Sequence, residues 1–186
     1  MAKKSKKPAV TKEILAEGRF IRLAREGHWE YAERNNATGA VIIVAVTDEG
    51  KLILTEQFRI PLQASVIELP AGLVGDIPGE EDEAWATAAE RELLEETGYH
   101  ARKVKHLTGG PVSAGFSNET VSVFLATGLK KIELGGGVEG EDIRVHEISL
   151  SRVPAWLRKK QREGLLVDPK VFAGLYFAMQ AAPKTK

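Results

Sequence analysis

The sequence predicts an α+β domain layered helix, sheet, helix. Three observations carry this: short β-branched runs recur between turn signals, one acidic helix-forming stretch sits mid-chain, and two helical stretches close the sequence. At 186 residues the chain has the size of a single domain and is long enough to bury a core.

Composition narrows the function classes. The hydrophobic content is 43% and the charged content 28%, as in ordinary globular chains. Lys plus Arg equals Asp plus Glu at 26 each, so no net field draws nucleic acid or a membrane, and neither partner is expected. The chain has no cysteine. That excludes disulfides, thiolate metal sites and cysteine nucleophiles, and it fits a reducing, cytoplasmic setting. The longest apolar runs, such as Val41 to Val46, are far short of a membrane span.

The elements follow in order. The lysine-rich segment 1–12 has no apolar stretch behind it, so it reads as a disordered tail and not as a secretory signal. Phe20 to Ala32 reads as strand-like, with Trp29 and Tyr31 alternating with polar neighbours. Val41–Val46 and Leu52–Phe58 read as strands, and Asp48-Glu-Gly50 marks a short hairpin turn between them. Ser65 to Leu69 is a shorter strand stopped by Pro70, and Leu73 to Pro78 is a Gly/Pro-rich loop. Glu80 to Glu83 then favour a helix start through the macrodipole, a helix runs over Ala84–Thr97, and Gly98 ends it. Ala86, Ala89 and Leu93 give that helix an apolar stripe. Val104–Leu107, Thr120–Ala126 and Ile143–Leu150 are further strands, followed by helices over Val153–Glu163 and Pro169–Gln180.

The central helix carries the chemistry. Glu92, Glu95 and Glu96 stand at i, i+3 and i+4 and share one face. Like charges so placed cost a helix about 0.2–0.5 kcal/mol per pair. Taken alone, three glutamates describe a solvated acidic face. Taken as a cluster, they are what oxygen-seeking Mg²⁺ needs, and the cation would relieve their repulsion while engaging a phosphate.

The surrounding frame decides between these. Glu83, seven residues, then Arg91-Glu-Leu-Leu-Glu-Glu-Thr-Gly-Tyr99 resembles the second half of the Nudix box, G-x5-E-x7-R-E-U-x-E-E-x-G-U. The glycine expected six residues before Glu83 falls on Ile77; Gly72, in Glu68-Leu-Pro-Ala-Gly72, is the counterpart, which makes the loop about five residues longer. The E-L-P-A-G string is similar to that of the ADP-ribose and sugar-nucleotide branch, and the likeness runs roughly from Trp29 to Gln180.

The resemblance implies the Nudix fold, an α/β/α sandwich with a mixed sheet and a central metal-binding loop–helix–loop. It implies N-terminal strands over 13–60 that serve dimerisation and base binding, and a hydrolase domain over 41–182. Metal would be held by Glu92, Glu95, Glu96 and the carbonyl of Ala71, with Arg91 orienting Glu95. Mg²⁺ is the expected cation and Mn²⁺ a substitute. Gln57-Phe-Arg59 resembles a Q-F-R string whose arginine binds diphosphate, as a guanidinium fork suits phosphate oxygens; a surface ion pair is the plainer reading. Trp29-Glu30 resembles a W-E pair that holds the nucleobase, although a strand Trp more often packs in a core or interface. Glu68 belongs to the same substrate set. Ser113 to Glu119 resembles an S-P-G-x-S-x-E loop, placing Ser117 and Glu119 near the terminal sugar, with Ala114 where ADP-ribose hydrolases carry proline. The glycine-rich acidic loop over Gly135–Ile143 resembles the lid that bears the catalytic base, Glu141 first and Glu139 second.

The implied reaction is Mg²⁺-dependent hydrolysis of a nucleoside diphosphate sugar. ADP-ribose would give AMP and ribose 5-phosphate, with a range open to GDP-mannose, and a homodimer would exchange its N-terminal regions. Two alternatives stand beside it: a housecleaning Nudix hydrolase of oxidised nucleoside triphosphates, and a non-catalytic ligand-sensing domain. Ser113 and Ser117 lack evident triad partners, and the four histidines show no zinc-ligand spacing.

Overall fold

The computed structural model describes residues 11–138 and 140–181. The first strands are β1 (Lys12–Glu17), β2 (Ile21–Glu26), β3 (Trp29–Arg34), β4 (Gly39–Ala45) and β5 (Lys51–Arg59). After them come β6 (Ala64–Glu68), β7 (Ala71–Val74), helix α1 (Trp85–Thr97), β8 (Tyr99–Pro111) and β9 (Thr120–Lys131). The chain closes with β10 (Ile143–Ser149), α2 (Val153–Arg162), the two-residue β11 (Leu166–Val167) and α3 (Lys170–Ala181).

The alternation of side chains along β4 explains its unbroken apolar run. Val41, Ile43 and Ala45 face a core shared with Ala88, Ala89 and Leu93 of α1. Ile42 and Val44 face the opposite core, which holds Val153 and Leu157 of α2 and Val171, Leu175 and Ala178 of α3. β5 divides in the same way, with Ile53 on the α1 side and Leu52 and Leu54 on the other. Helices thus cover both faces of the strands, the expected α/β/α layering.

Three sheets form. β1-β2-β3 is an antiparallel meander; β7-β4-β9-β8 is mixed, with β4 and β9 parallel; β10-β5-β6-β11 is mixed through the parallel β6–β11 pair. This corrects the hairpin expected between β4 and β5. A turn is present, with the Gly50 N–H donating to the Thr47 carbonyl at 2.9 Å, but the strands separate into different sheets after the single Val46–Leu52 bridge. Each strand must face both cores, and splaying satisfies that better than a continued ladder.

Other differences are local. The 20–32 stretch is two strands folded at Gly27, whose φ is 63°, and β1 pairs with the first of them. The segment expected as loop from Leu73 begins within β7, which pairs with β4. On α1, Ala86 is exposed, and half-buried Trp85 with Ala88, Ala89 and Leu93 makes the apolar face. Glu80–Glu83 lie before the first turn, not within it. Gly98 ends α1 at φ 74°, as expected, its N–H donating to the Leu94 carbonyl at 2.8 Å. Among the described residues, no helix is long and apolar enough to cross a membrane.

Candidate active site

A cleft of about 530 Å³ opens where the end of β5, strand β7 and the glutamate-bearing side of α1 meet. Arg34, Arg59, Ala71, the box residues Arg91, Glu92, Glu95 and Glu96, and Glu141 all line it. Local geometry delivers them there. Gln57 and Arg59 share the face of β5 that carries Ile53, so burial of that isoleucine turns them to the α1 side. The 92, 95 and 96 spacing sets the glutamates on one face of α1, above β7.

Arg91 is the hub of this end of the cleft. Its guanidinium donates to Glu83 through Nε and Nη2 (both 3.1 Å), to Glu92 through Nη1 (2.9 Å), to Glu95 through Nη1 (3.2 Å) and to the Leu73 carbonyl through Nη2 (3.2 Å). It therefore ties the segment before α1, the helix face and β7 together. The Glu83 side chain is only 5% exposed, so this is a buried charge satisfied by a bidentate partner. Arg91's pKa is raised further, chiefly by the hydrogen bonds to Glu83.

Burial dominates the acid face. It pushes Glu96 up to about 8, with Glu92 and Glu141 adding repulsion and the Ala71 N–H and Arg59 opposing. It pushes Glu92 up to about 7, against the pull of Arg91. The Ala71 N–H donates to Glu96 Oε2 at 3.1 Å. At Gly72 the backbone lies so close that an added Cβ would stand 1.8 Å from Glu92 Cδ. Only glycine leaves the Glu92 carboxylate its place.

These donors suit a hard divalent cation. All are oxygens, and burial disfavours the charged form of Glu92 and Glu96 by more than their neighbours offset, a penalty that a cation would relieve. Among the described residues no three acidic or histidine side chains converge on a single point. The fit is thus one of chemistry and burial and not of a preformed cage.

The two cleft arginines are braced alike. Arg59 Nε donates to Glu68 Oε2 and Arg34 Nε to Glu119 Oε1, each at 2.8 Å. Sequence reasoning missed Arg34. Strand alternation held the signal, since Glu30, Ala32 and Arg34 share one face of β3, and Ala32 bridges to Ser117. The Asn118 side chain donates to Glu33 at 2.9 Å, so the 113–119 loop is fastened to β3.

The remaining candidates divide by position. Glu68 and Glu119 reach the cleft through the arginines they hold. Ser117 lies on the loop beside β3 and does not line the cleft. Trp29 is 51% exposed and, with Glu30, stands outside the cleft at the far end of β3. The Glu141 carboxylate accepts the Val138 N–H at 3.1 Å. Glu139, the second candidate base, lies outside the described residues. The glycine-rich 135–143 loop is joined to the helix end: the Gly136 and Gly137 N–H groups donate to the Glu96 and Glu95 carbonyls at 2.8 and 3.0 Å.

Comparison with known proteins places this geometry. The profile of the NUDIX domain matches residues 37–166. Over 194 residues, and 100% of both chains, the sequence is 31% identical to the methanol dehydrogenase activator of Bacillus methanolicus. It is 46% identical to the ADP-ribose pyrophosphatase of Bacillus subtilis (strain 168) over 113 residues, 60% of this chain and 58% of that protein. It is 33% identical to the GDP-mannose pyrophosphatase of Pectobacterium atrosepticum over 149 residues, 76% and 72% of the two. A crystal structure described as an ADP compounds hydrolase superposes with a TM-score of 0.70 over 96% of each chain; at 21% identity it speaks for the fold alone.

Proposed function

Because the chain belongs to the NUDIX family, we propose that it hydrolyses the diphosphate bond of nucleoside diphosphate sugars, with ADP-ribose the leading substrate and GDP-mannose within range. It is a hydrolase of pyrophosphate bonds, like the pyrophosphatases it resembles. One observation carries the substrate class: two braced arginines and three helix carboxylates line a single cleft, as a diphosphate bridged by a cation requires.

Arg34 and Arg59 bind the non-bridging diphosphate oxygens, and Glu119 and Glu68 fix the angle of each guanidinium. Glu92, Glu95, Glu96 and the Ala71 carbonyl would hold Mg²⁺, for which Mn²⁺ can substitute. When bound, the ion would neutralise developing charge on the phosphoryl oxygens. Glu141 accepts the proton of a water whose oxygen attacks phosphorus in line. The P–O bond of the anhydride breaks, and a phosphate monoester leaves. With ADP-ribose the products are AMP and ribose 5-phosphate. Arg91 touches no substrate and holds Glu92 and Glu95 in place.

Trp29 and Glu30 serve a second copy of the chain. The strand rises about 3.3 Å per residue, so Trp29 lies about 17 Å from Arg34 and cannot turn into its own cleft. On the β1–β3 meander Ile14 and Trp29 are exposed on one face and Ile21 and Leu23 on the other. A homodimer exchanging this region covers them and brings Trp29 to the partner's nucleobase. Light scattering at micromolar concentration should return a dimer mass; a monomer ends this part. Residence in the cytoplasm suits a chain without cysteine.

A product assay over ADP-ribose, GDP-mannose, UDP-glucose and nucleoside triphosphates, oxidised ones included, tests the whole. Faster turnover of triphosphates would replace this reading with a housecleaning role. Binding of these compounds without turnover of any of them would instead favour a ligand-sensing domain. The full-length likeness to the methanol dehydrogenase activator favours a second role, acting on an alcohol dehydrogenase. An unchanged dehydrogenase rate on adding this protein disposes of it.

A further inference from the structure

The extra residues between Gly72 and Glu83 build a feature that the hydrolytic machinery does not use. The loop is held rigidly at its base. The Thr38 N–H and Oγ1 both donate to the Val74 carbonyl, at 2.9 and 3.0 Å. Gly75, at φ 70°, sits so tightly that a Cβ would meet the Glu81 carbonyl at 2.6 Å and Thr38 Oγ1 at 2.9 Å. Further along, the Glu80 N–H donates to the Ile77 carbonyl at 3.0 Å and the Gly79 N–H to Glu81 Oε1 at 3.0 Å. Loop and β3–β4 connection face each other across a side chamber of about 460 Å³.

The chamber is continuous with the cleft, because Asp76 and Ile77 line both. On its other side, Ala37 and Thr38 also border the recess that holds Asn118 and Glu119 of the 113–119 loop. It thus stands beside the diphosphate-binding arginines.

Its walls carry unspent acceptors. Among the described residues, two buried side-chain atoms lack a hydrogen-bond partner, Asn36 Oδ1 and Asp76 Oδ1, and both residues line this chamber. Arg91 lies 3.7 Å from Asp76 Oδ1, but its N–H groups are already given to Glu83, Glu92, Glu95 and the Leu73 carbonyl. Buried acceptors in native folds are nearly always satisfied, so a pair of orphans in one chamber points to a donor-bearing ligand. The terminal torsions of Asn and Asp are broad, and a modest rotation presents either oxygen to the chamber.

We propose that this chamber receives the terminal sugar of the substrate, with Asn36 and Asp76 accepting hydrogen bonds from its hydroxyls. The inference rests on the function proposed above and names the part of the substrate that the inserted loop reads. Ala37, Ile77 and Pro78 supply an apolar wall for the C–H face of a sugar ring, and the chamber far exceeds the room an ion needs. Asp76 and Glu81 would repel a third phosphate at the same place, so the loop also selects against nucleoside triphosphates.

The test compares two non-hydrolysable ligands in Mg²⁺-loaded protein by calorimetry: the α,β-methylene analogues of ADP-ribose and of ADP, which differ in the terminal sugar and in the one phosphate charge that its ester removes. Asn36→Leu removes one acceptor, and Asp76→Asn is isosteric and exchanges one carboxylate oxygen for an N–H donor. Each should weaken the ADP-ribose analogue about tenfold, the loss of about one buried hydrogen bond, and leave the ADP analogue within about twofold. Should Asn36→Leu fail to fold, Asp76→Asn carries the comparison. Equal weakening of both ligands, or of neither, overturns the assignment. Wild-type protein that hydrolyses no nucleoside diphosphate sugar at all overturns the parent reading, a result distinct from either.

Discussion

Gly72→Ala separates catalysis from folding at one atom. The new Cβ would lie 1.8 Å from Glu92 Cδ and 2.0 and 2.2 Å from its oxygens, whereas ordinary contact begins near 3.4 Å. The carboxylate must therefore retreat by about 1.5 Å, taken as that difference. Misplacement on the order of 1 Å at a reacting centre costs about 100-fold, which is about 2.7 kcal/mol of transition-state stabilisation at 1.36 kcal/mol per decade. The fold should not suffer, because Gly72 has no positive φ and what yields is the end of a flexible side chain. Gly→Ala at a compatible backbone position even stabilises, by about 0.4–1 kcal/mol through the unfolded chain. The assay is release of phosphatase-sensitive product from ADP-ribose, read as kcat/KM, beside a thermal melt in EDTA. A kcat/KM within about threefold of wild type, with an unchanged melt, would refute the argument that the Glu92 carboxylate holds a fixed place in the chemistry.

Other outcomes follow from the same geometry. Arg91→Ala strands the Glu83 carboxylate, 5% exposed, without its bidentate partner; urea denaturation should show a loss of about 3–5 kcal/mol, and Arg91→Lys should not restore it, since an ammonium cannot span the same acceptors. Glu96 and Glu92 stand near 8 and 7, raised from 4.5, so their contribution to stability is complete below pH 4.5 and is lost as pH rises through 7 to 8. In EDTA the melting temperature should therefore fall between pH 6 and pH 9, and Mg²⁺ should restore more of it at pH 9; equal restoration at both counts against ion binding at these carboxylates. Gly135→Ala, at φ 70° with its Cβ 2.3 Å from the Thr97 carbonyl carbon, should lower both kcat and the melting temperature; an unchanged kcat would mean that this loop's seat on the helix end is immaterial.

How far the sequence could be read depended on which physical signal each part carries. The Val41–Val46 run was plain as a strand, yet its continuous apolarity concealed that alternate residues serve two cores. That is why β4 and β5 looked like a hairpin: the local turn signal at Asp48–Gly50 is real, but the partition of strands between sheets is set by long-range packing. The acidic face of α1 was legible because its chemistry depends on helical spacing alone. β1 escaped notice because its three apolar residues, Ile14, Leu15 and Ala16, are consecutive between charges and show no strand alternation in an otherwise exposed segment. β11, two residues long, has too little sequence to carry a period. Arg34 was missed because its position depends on the contact of β3 with the 113–119 loop, 85 residues away at the Arg34–Glu119 pair.

The grip of Arg91 on both ends of the 73–83 stretch has an evolutionary corollary. One side chain clasps Leu73 at the entry and Glu83 at the exit, so the exposed stretch Pro78–Asp82 between them is free to vary. Its length and lettering can drift while the strap keeps the catalytic frame in register. A lineage could thus acquire new substrates by rewriting a handful of residues, and a protein engineer could do the same by splicing there.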